Sequence, residues 1–406
     1  MKFILLDFHK RKSHCFVKQN LRKNWSRPHG MDFSTHSAKV AWNSERFLHH
    51  VYARHSHKKD DLGGRVKLRR LVVLIAAALL LLIGCAKRNP AWQDPELLSL
   101  VKQISVAGNP MDLSFDDDWI FVAQDQGGIS VIDRNDFSHR WWPEVNPPSA
   151  DAVMARIRGV SAVGKHKILF ASEYWAADKI RVIDYSNPDS LRLLDSITGG
   201  SDNLKSIFFQ AIENPTDENI IEGFFSVGGS EPRARYTRYN GYSYVGSDYN
   251  IVTTPWVPEH VDANQTHVFL AMGQRGLMIY DRQSQQKLSE LTLPGEALYV
   301  KVKGNYAWLA CRQAGLCVVN IADPTWPILV STFDTTGYAT TVDLKGNHAV
   351  VSSGGGGIYL FDASNPANPR LLQNITTLGY TNNAKFCDDL LLVAARDKGV
   401  VIYRFQ

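Results

Sequence analysis

The run from Gly304 to Asp323, GNYAWLACRQAGLCVVNIAD, constrains this chain more than any other stretch. It holds two short apolar, β-prone segments joined by a turn that closes on Gly315, the pattern of a hairpin. Near-copies recur as GNHAVVSSGGGGIYLFDASNP from Gly346 and CDDLLLVAARDKGVVIYRF from Cys387. Aligning on the second segment finds GISVID at Gly128, KIRVID at Lys179, GLMIYD at Gly276, GLCVVN at Gly315, GIYLFD at Gly357 and GVVIYR at Gly399. The spacings are 51, 97, 39, 42 and 42 residues, and the 97 is about twice the rest, so a diverged unit is expected between Lys179 and Gly276. No long amphipathic helix pattern interrupts these runs. Seven units at a period near 42 residues predict an all-β chain: a single β-propeller over residues 97–406 with seven four-stranded blades.

Within the fifth unit the strands are expected at Leu298–Val302, Tyr306–Ala310, Leu316–Ile321 and Ile328–Phe333. Gly276, Gly315, Gly357 and Gly399 are placed to supply a positive φ in the turn before the third strand. Asp323-Pro324 and Trp326-Pro327 end that strand, because proline donates nothing to a ladder. The last unit reaches Gln406 after three strands, at Asn383–Phe386, Leu390–Ala394 and Val400–Phe405. An unassigned strand, Leu100–Val106, precedes the first unit's Met111–Phe115. A propeller ring leaves no open edge when such ends pair, so the N-terminal strand is expected to complete the last blade.

These repeats resemble the LVIVD-repeat propellers of bacteria and archaea. GLCVVNIADPTWP and IRVIDYSNPDSLRLLDSI carry the resemblance best, followed by GLMIYD and GIYLFDASNPANP. The resemblance implies a propeller and brings no catalytic motif. Residues from about Gly200 to Pro258 depart from the pattern.

Charge divides the chain. Residues 1–70 hold 17 Lys/Arg, 5 Asp/Glu and eight of the 13 histidines, which leaves the remainder with a net charge of −7. A mildly acidic body gives no support to a nucleic-acid partner. Residues 1–64 have no sustained period and read as a disordered extension, or as sequence upstream of the true start, with Val66 opening a signal of ordinary length. In the signal at 65–84, Arg65, Lys67, Arg69 and Arg70 precede the 13-residue apolar run Leu71–Ile83. That run is shorter than the roughly 20 residues a spanning helix needs. It ends in Leu82-Ile83-Gly84-Cys85, which resembles the bacterial lipobox. The resemblance implies a thioether-linked diacylglycerol on Cys85, signal cleavage after Gly84, and acylation of the new α-amino group. Several acyl chains anchor stably where one does not. Ala86, by resemblance to lipoprotein sorting rules, favours the outer over the inner membrane of the cell envelope. Residues 85–96, with two prolines, read as a tether.

Candidate site residues are few. Cys311 and Cys317 flank one hairpin turn and are a candidate disulfide, with two separate thiols as the other reading. Cys387 reads as a core thiol. Glu259, His260, Asp262 and His267 are the one dense His/carboxylate group, but their spacing does not match a metal site, and polar loop residues are the expectation. The glycines at 354–357 precede a strand rather than a helix and read as a tight turn, not a phosphate cradle. Arg233, Arg235, Tyr236, Arg238, Tyr239, Tyr242, Tyr244 and Tyr249, in the diverged unit, form a candidate ligand surface, as do Trp141 and Trp142. Tyr, Trp and Arg are the types favoured at binding surfaces. An outward-facing strand pair is the alternative for both groups.

No catalytic motif is present, and no metal or cofactor is expected. The reading is a membrane-anchored lipoprotein whose monomeric, non-catalytic propeller binds or scaffolds envelope proteins. A propeller binding a glycan or small ligand in its central funnel is the alternative. A hydrolase or oxidoreductase using funnel carboxylates comes third.

Overall fold

In the computed structural model, contacts divide the chain into Met1–Ala91 and Trp92–Gln406. The structure describes residues 97–405, apart from 147–151, 175–178, 199–203, 212–218, 229–231, 241–242, 245–248, 254–255 and 377. The signal segment, Cys85, the lipobox residues and the tether therefore lie outside the described residues. No helix among the described residues is long and apolar enough to cross a membrane.

Seven antiparallel sheets form the seven blades expected. Strands are lettered a to d from the axis outwards. The a strands are Asp112–Phe115, Ile157–Val163, Leu204–Ala211, His260–Ala263, Tyr299–Lys303, Thr341–Lys345 and Thr381–Cys387, each contacting the a strand of the next blade until the ring closes. In blade five the b and d strands, Tyr306–Ala310 and Ile328–Phe333, fall where the repeat pattern puts them. Blade three is complete despite its divergence, although two short pieces, Ser243–Tyr244 and Tyr249–Thr253, share its d position.

Leu98–Ile104 is the d strand of blade seven, paired antiparallel with Gly399–Phe405 from Leu98↔Phe405 to Ile104↔Val400. The two ends of the fold thus share one sheet, which covers the edge of Gly399–Phe405.

The expected turn glycines are there for a physical reason. Gly315 has φ +74°, and a Cβ on it would meet the Phe333 carbonyl oxygen of strand d at 2.2 Å. Gly357 is held alike beneath Ile375, at φ +77°. Only glycine accepts both the left-handed backbone and the close approach.

Three residues further back in the same turn, the blades are tied to their successors. Asp125, Gly273, Arg312 and Gly354, at φ 45–58°, form antiparallel bridges with Ile157, Ala297, Ala339 and Thr381 of the following blade. In the first of these, Asp125 N–H donates to Ile157 at 2.8 Å and Ile157 N–H returns the bond at 2.9 Å. Gly354 therefore serves an interblade bridge, in line with the tight turn expected for it.

Apolar cores fill the seams. One cluster joins Phe269, Leu277 and Ile279 of blade four to Val300, Leu309 and Val319 of blade five. Another joins Leu113, Ile120 and Ile132 of blade one to Leu392 and Ile402 of blade seven. Burying each such side chain contributes about 1.5–3 kcal/mol.

Candidate functional site

The strand directions define two ends. The turns between b and c and the connections from d to the next a lie at one, called upper. The a–b and c–d turns lie at the other.

Among the described residues seven large apolar side chains are exposed, and four of them, Trp141, Val153, Trp256 and Tyr338, sit at the upper end. Trp256 is 60% exposed and Tyr338 51%. Arginines stand over tyrosines at the same end: Arg158 is 4.2 Å from the Tyr174 ring centroid, Arg396 is 4.3 Å from Tyr380, and Arg312 is 5.4 Å from Tyr338. Arg312 also pairs with Glu296 at 2.5 Å. Each cation–π contact contributes roughly 0.5–1 kcal/mol when exposed and holds the guanidinium flat against its ring. Trp141 is fixed by donating its indole N–H to the Gly127 carbonyl at 2.5 Å. Its neighbour Trp142 is half-buried against the core of blades one and two.

The Tyr/Arg run of blade three is not part of this surface. Arg233–Asn240 is strand c, closed in on both faces. Tyr236 and Tyr239 are buried, and their hydroxyls donate to Glu222 at 2.9 Å and Asp195 at 3.2 Å. Arg233, Arg235 and Arg238 are half-buried, with the Arg235 guanidinium 5.5 Å from the Phe225 centroid. For Tyr236 and Tyr239 the candidate ligand surface is thus corrected to core, because a buried tyrosine needs only one acceptor for its hydroxyl. Tyr244 and Tyr249 lie in the d pieces, and Tyr242 lies outside the described residues.

Cys311 and Cys317 are not bonded to one another. They are buried free thiols in hydrogen-bond contact, and that contact, then burial, drives the Cys311 thiol far above its ordinary pKa. They occupy a slot under the b–c turn that other blades fill differently: Gln124 and Ser130 (hydrogen-bonded at 2.7 Å), Met272 and Met278, or Glu173 and Arg181. Cys387 is also buried, its thiol pushed up to about 11 by burial.

The axis carries a second feature. His260 and Asp262 are not loop residues, because both are buried in strand a of blade four. Glu259 precedes that strand, where Lys205 of blade three lies 3.5 Å from it, and His267 begins strand b. Among the described residues, no three His, Cys, Asp or Glu side chains are grouped to hold a metal.

Strand register puts Asp112, His260, Tyr299, Thr341 and Asn383 at one level around the axis. Two residues on, Asp262, Lys301, Asp343 and Lys385 alternate in sign through blades four to seven. The carboxylates tie neighbouring blades together. Asp262 accepts from Val302 N–H at 2.7 Å, Asp343 from Phe386 N–H at 2.9 Å, and Asp112 from Val160 N–H at 3.0 Å and Asn383 at 2.6 Å. Lys385 pairs with Asp112 at 3.0 Å.

The His260 ring stacks on Tyr299, centroids 3.6 Å apart. Burial, aided by Lys301 and Lys385, holds the imidazole well below its usual pKa, so it is neutral at pH 7. Burial raises the Asp262 carboxyl against the pull of Lys301 and two backbone N–H groups. Burial and the carboxylates of Asp112, Asp343 and Asp262 keep the Tyr299 phenol protonated. The sequence signal for this level was present but unused: polar residues at i and i+2 in the first apolar run of successive repeats.

A cleft of about 320 Å³ also opens at the lower end between blades five and six, lined by Tyr306, Trp308, Leu344 and Asn347. Its lysine, Lys303, is bonded to the Gly346 carbonyl.

Comparison with known proteins supports the fold and the repeat class. Residues 294–335 and 336–377 each match the LVIVD repeat model, and each match spans one blade. No curated protein sequence matches the chain. In fold it is similar to the β-propeller domain of Cps50 (Swd1) from Myceliophteria thermophila, with a TM-score of 0.60, 11% identity, and coverage of 76% of this chain and 100% of that one. The WD40 β-propeller domain of Doa1 gives 0.60 and 10%, covering 76% and 97%. U3-55K gives 0.60 and 12%, covering 77% and 99%. At such identities the likeness concerns architecture alone. With seven sheets closing the ring, the chain is a seven-bladed β-propeller, and its fifth and sixth blades carry LVIVD repeats.

Proposed function

We propose that this propeller is a non-catalytic protein-binding module, held at the bacterial cell envelope by lipid on Cys85, and that its upper end takes the partner. The observation that carries the reading is the placement of Trp141, Val153, Trp256 and Tyr338 at that end beside the Arg–Tyr pairs. Exposed aromatics with arginines are the composition of interface anchors, and ring-held arginines lose less side-chain freedom on docking. The anchor rests on the lipobox of Leu82, Ile83, Gly84 and Cys85. A binding role without catalysis is favoured by the axial carboxylates, whose oxygens are engaged by backbone N–H groups of the next blade.

A photo-crosslinking amino acid at position 338 or 256, compared with one at Trp326 on the lower end, tests the reading in cells. Discrete protein adducts from 338 and 256, absent from 326 and lost in a Tyr338→Asp/Trp256→Asp variant, are expected. Equal labelling from both ends, or adducts that survive the double substitution, would refute the docking face. Cys85→Ser should abolish fatty-acid labelling, and persistent labelling would refute the anchor.

A further inference from the structure

The axial level of His260, Tyr299 and Thr341 carries polar atoms that the fold does not use. Among the described residues, His260 Nδ1 and Thr341 Oγ1 are buried without a hydrogen-bond partner, on residues 7% and 9% exposed. Buried polar groups are paired in the great majority of cases, and one left unmet costs about 1–3 kcal/mol. Two such atoms on successive even blades, with Tyr299 between them, mark a place built to be completed by something else.

The roles of these atoms specify the chemistry. The Val300 backbone contact favours the protonated ring, so one imidazole N–H faces the Val300 carbonyl. The neutral ring then presents Nδ1 as an acceptor. Thr341 and the protonated Tyr299 present hydroxyls. Lys301, two residues beyond Tyr299, has no carboxylate within ion-pair distance among the described residues, and its ammonium lies 5.6 Å from the Phe208 ring. The site therefore offers an ammonium and two hydroxyl donors beside one acceptor. The nearby Asp262 and Asp343 are held by backbone N–H groups, so they do not quench Lys301 through a direct pair.

From this we infer that the central channel binds a small carboxylate bearing a hydrogen-bond donor, hydroxyl or ammonium, on the adjacent carbon. Lys301, Tyr299 and Thr341 take the carboxylate, and His260 Nδ1 accepts from the neighbouring donor. The site is independent of the upper-end docking face, so either can fail alone.

Titration calorimetry on the full chain with L-lactate, L-alanine and propionate tests it. The three differ in having a hydroxyl, an ammonium or a hydrogen on one carbon. At least one of the first two should bind about tenfold tighter than propionate, a difference of about 1.4 kcal/mol. Lactate over alanine identifies a hydroxy acid, and the reverse an amino acid. Lys301→Met should abolish binding of all three. His260→Phe keeps a ring on Tyr299 but lacks Nδ1, and should equalise the three while leaving propionate unchanged. No binding by any of them at millimolar concentration, equal binding by all to the unsubstituted chain, or a preference that survives His260→Phe would overturn the inference. Thermal melts of both variants separate lost binding from lost fold.

Discussion

Blades four and five and blade two solve one packing problem with different side chains. In blade five the slot beneath the b–c turn holds two thiols, and in blade four two methionines. Blade two fills it with Glu173 and Arg181, paired at 2.7 Å, the arginine 1% exposed. Arg181 also donates to the Val153 carbonyl at 2.8 Å, and Glu173 accepts from Ala155 N–H at 3.0 Å. Blade three buries its own carboxylate elsewhere: Glu222, near the start of strand b and so toward the lower end, is bonded to Tyr236 and paired with Arg282 of blade four. The backbone slot is common and its occupants are free to vary, provided each polar group is met. The difference also has a consequence for stability. An apolar slot accepts an exchange for apolar side chains of similar volume, whereas an ionic slot fails when one partner is lost.

The largest test removes what both kinds of blade depend on. Deleting residues 97–107 takes the d strand from blade seven and exposes the edge of Gly399–Phe405. Loss of the cooperative melt, or a large fall in Tm, is expected. An unchanged melt would mean that the blades stand without ring closure, and the comparison of neighbours would lose its meaning.

Next in size is the ionic slot itself. Glu173→Ala leaves Arg181 buried without its carboxylate and should cost about 3–5 kcal/mol. Glu173→Met/Arg181→Met copies blade four into blade two and should lie within about 1 kcal/mol of the original chain. Urea melts of the two variants decide the matter. A double substitution as damaging as the single one would show that the slots are not equivalent.

The regular blades were legible in the sequence because their periodicity is carried by apolar residues. Strands b and d of blade five and the turn at Gly315 follow from alternation and glycine placement, and an unpaired end pointed to the closing strand, expected at Leu100–Val106 and found two residues earlier at Leu98–Ile104. Blade three was not legible in the same way. Tyr236 and Tyr239 look like surface in a one-dimensional pattern, and only the acceptors on Glu222 and Asp195 make them core. Those acceptors lie 14 and 44 residues away, beyond any local signal. Glu259, His260, Asp262 and His267 looked like one group because they are close along the chain. Strand pairing instead sends His260 and Asp262 to the axis and joins them to Tyr299 and Lys301 of the next blade.

The smallest test asks whether the regular half hides its own polar cost at the axis. His260 is buried and held neutral, its folded pKa well below the ordinary 6.5. Below pH 6.5 the unfolded chain binds a proton that the folded chain refuses, so stability must fall as the pH drops through that value. Asp262 acts in the opposite sense. Its folded pKa is raised above 3.8, so the folded chain holds a proton longer, and its contribution declines as the pH rises from 3.8 to that folded value. Because the two effects oppose each other, the slope of the parent chain alone is ambiguous, and the difference between two chains is the clean measure. His260→Phe retains the stack on Tyr299 and removes the titration. Its Tm should therefore fall less than that of the parent between pH 7 and pH 5. Parallel Tm curves for the two chains would show that His260 takes up its proton as readily in the folded chain as in the unfolded one, and the axis would no longer hold an imidazole kept neutral by burial.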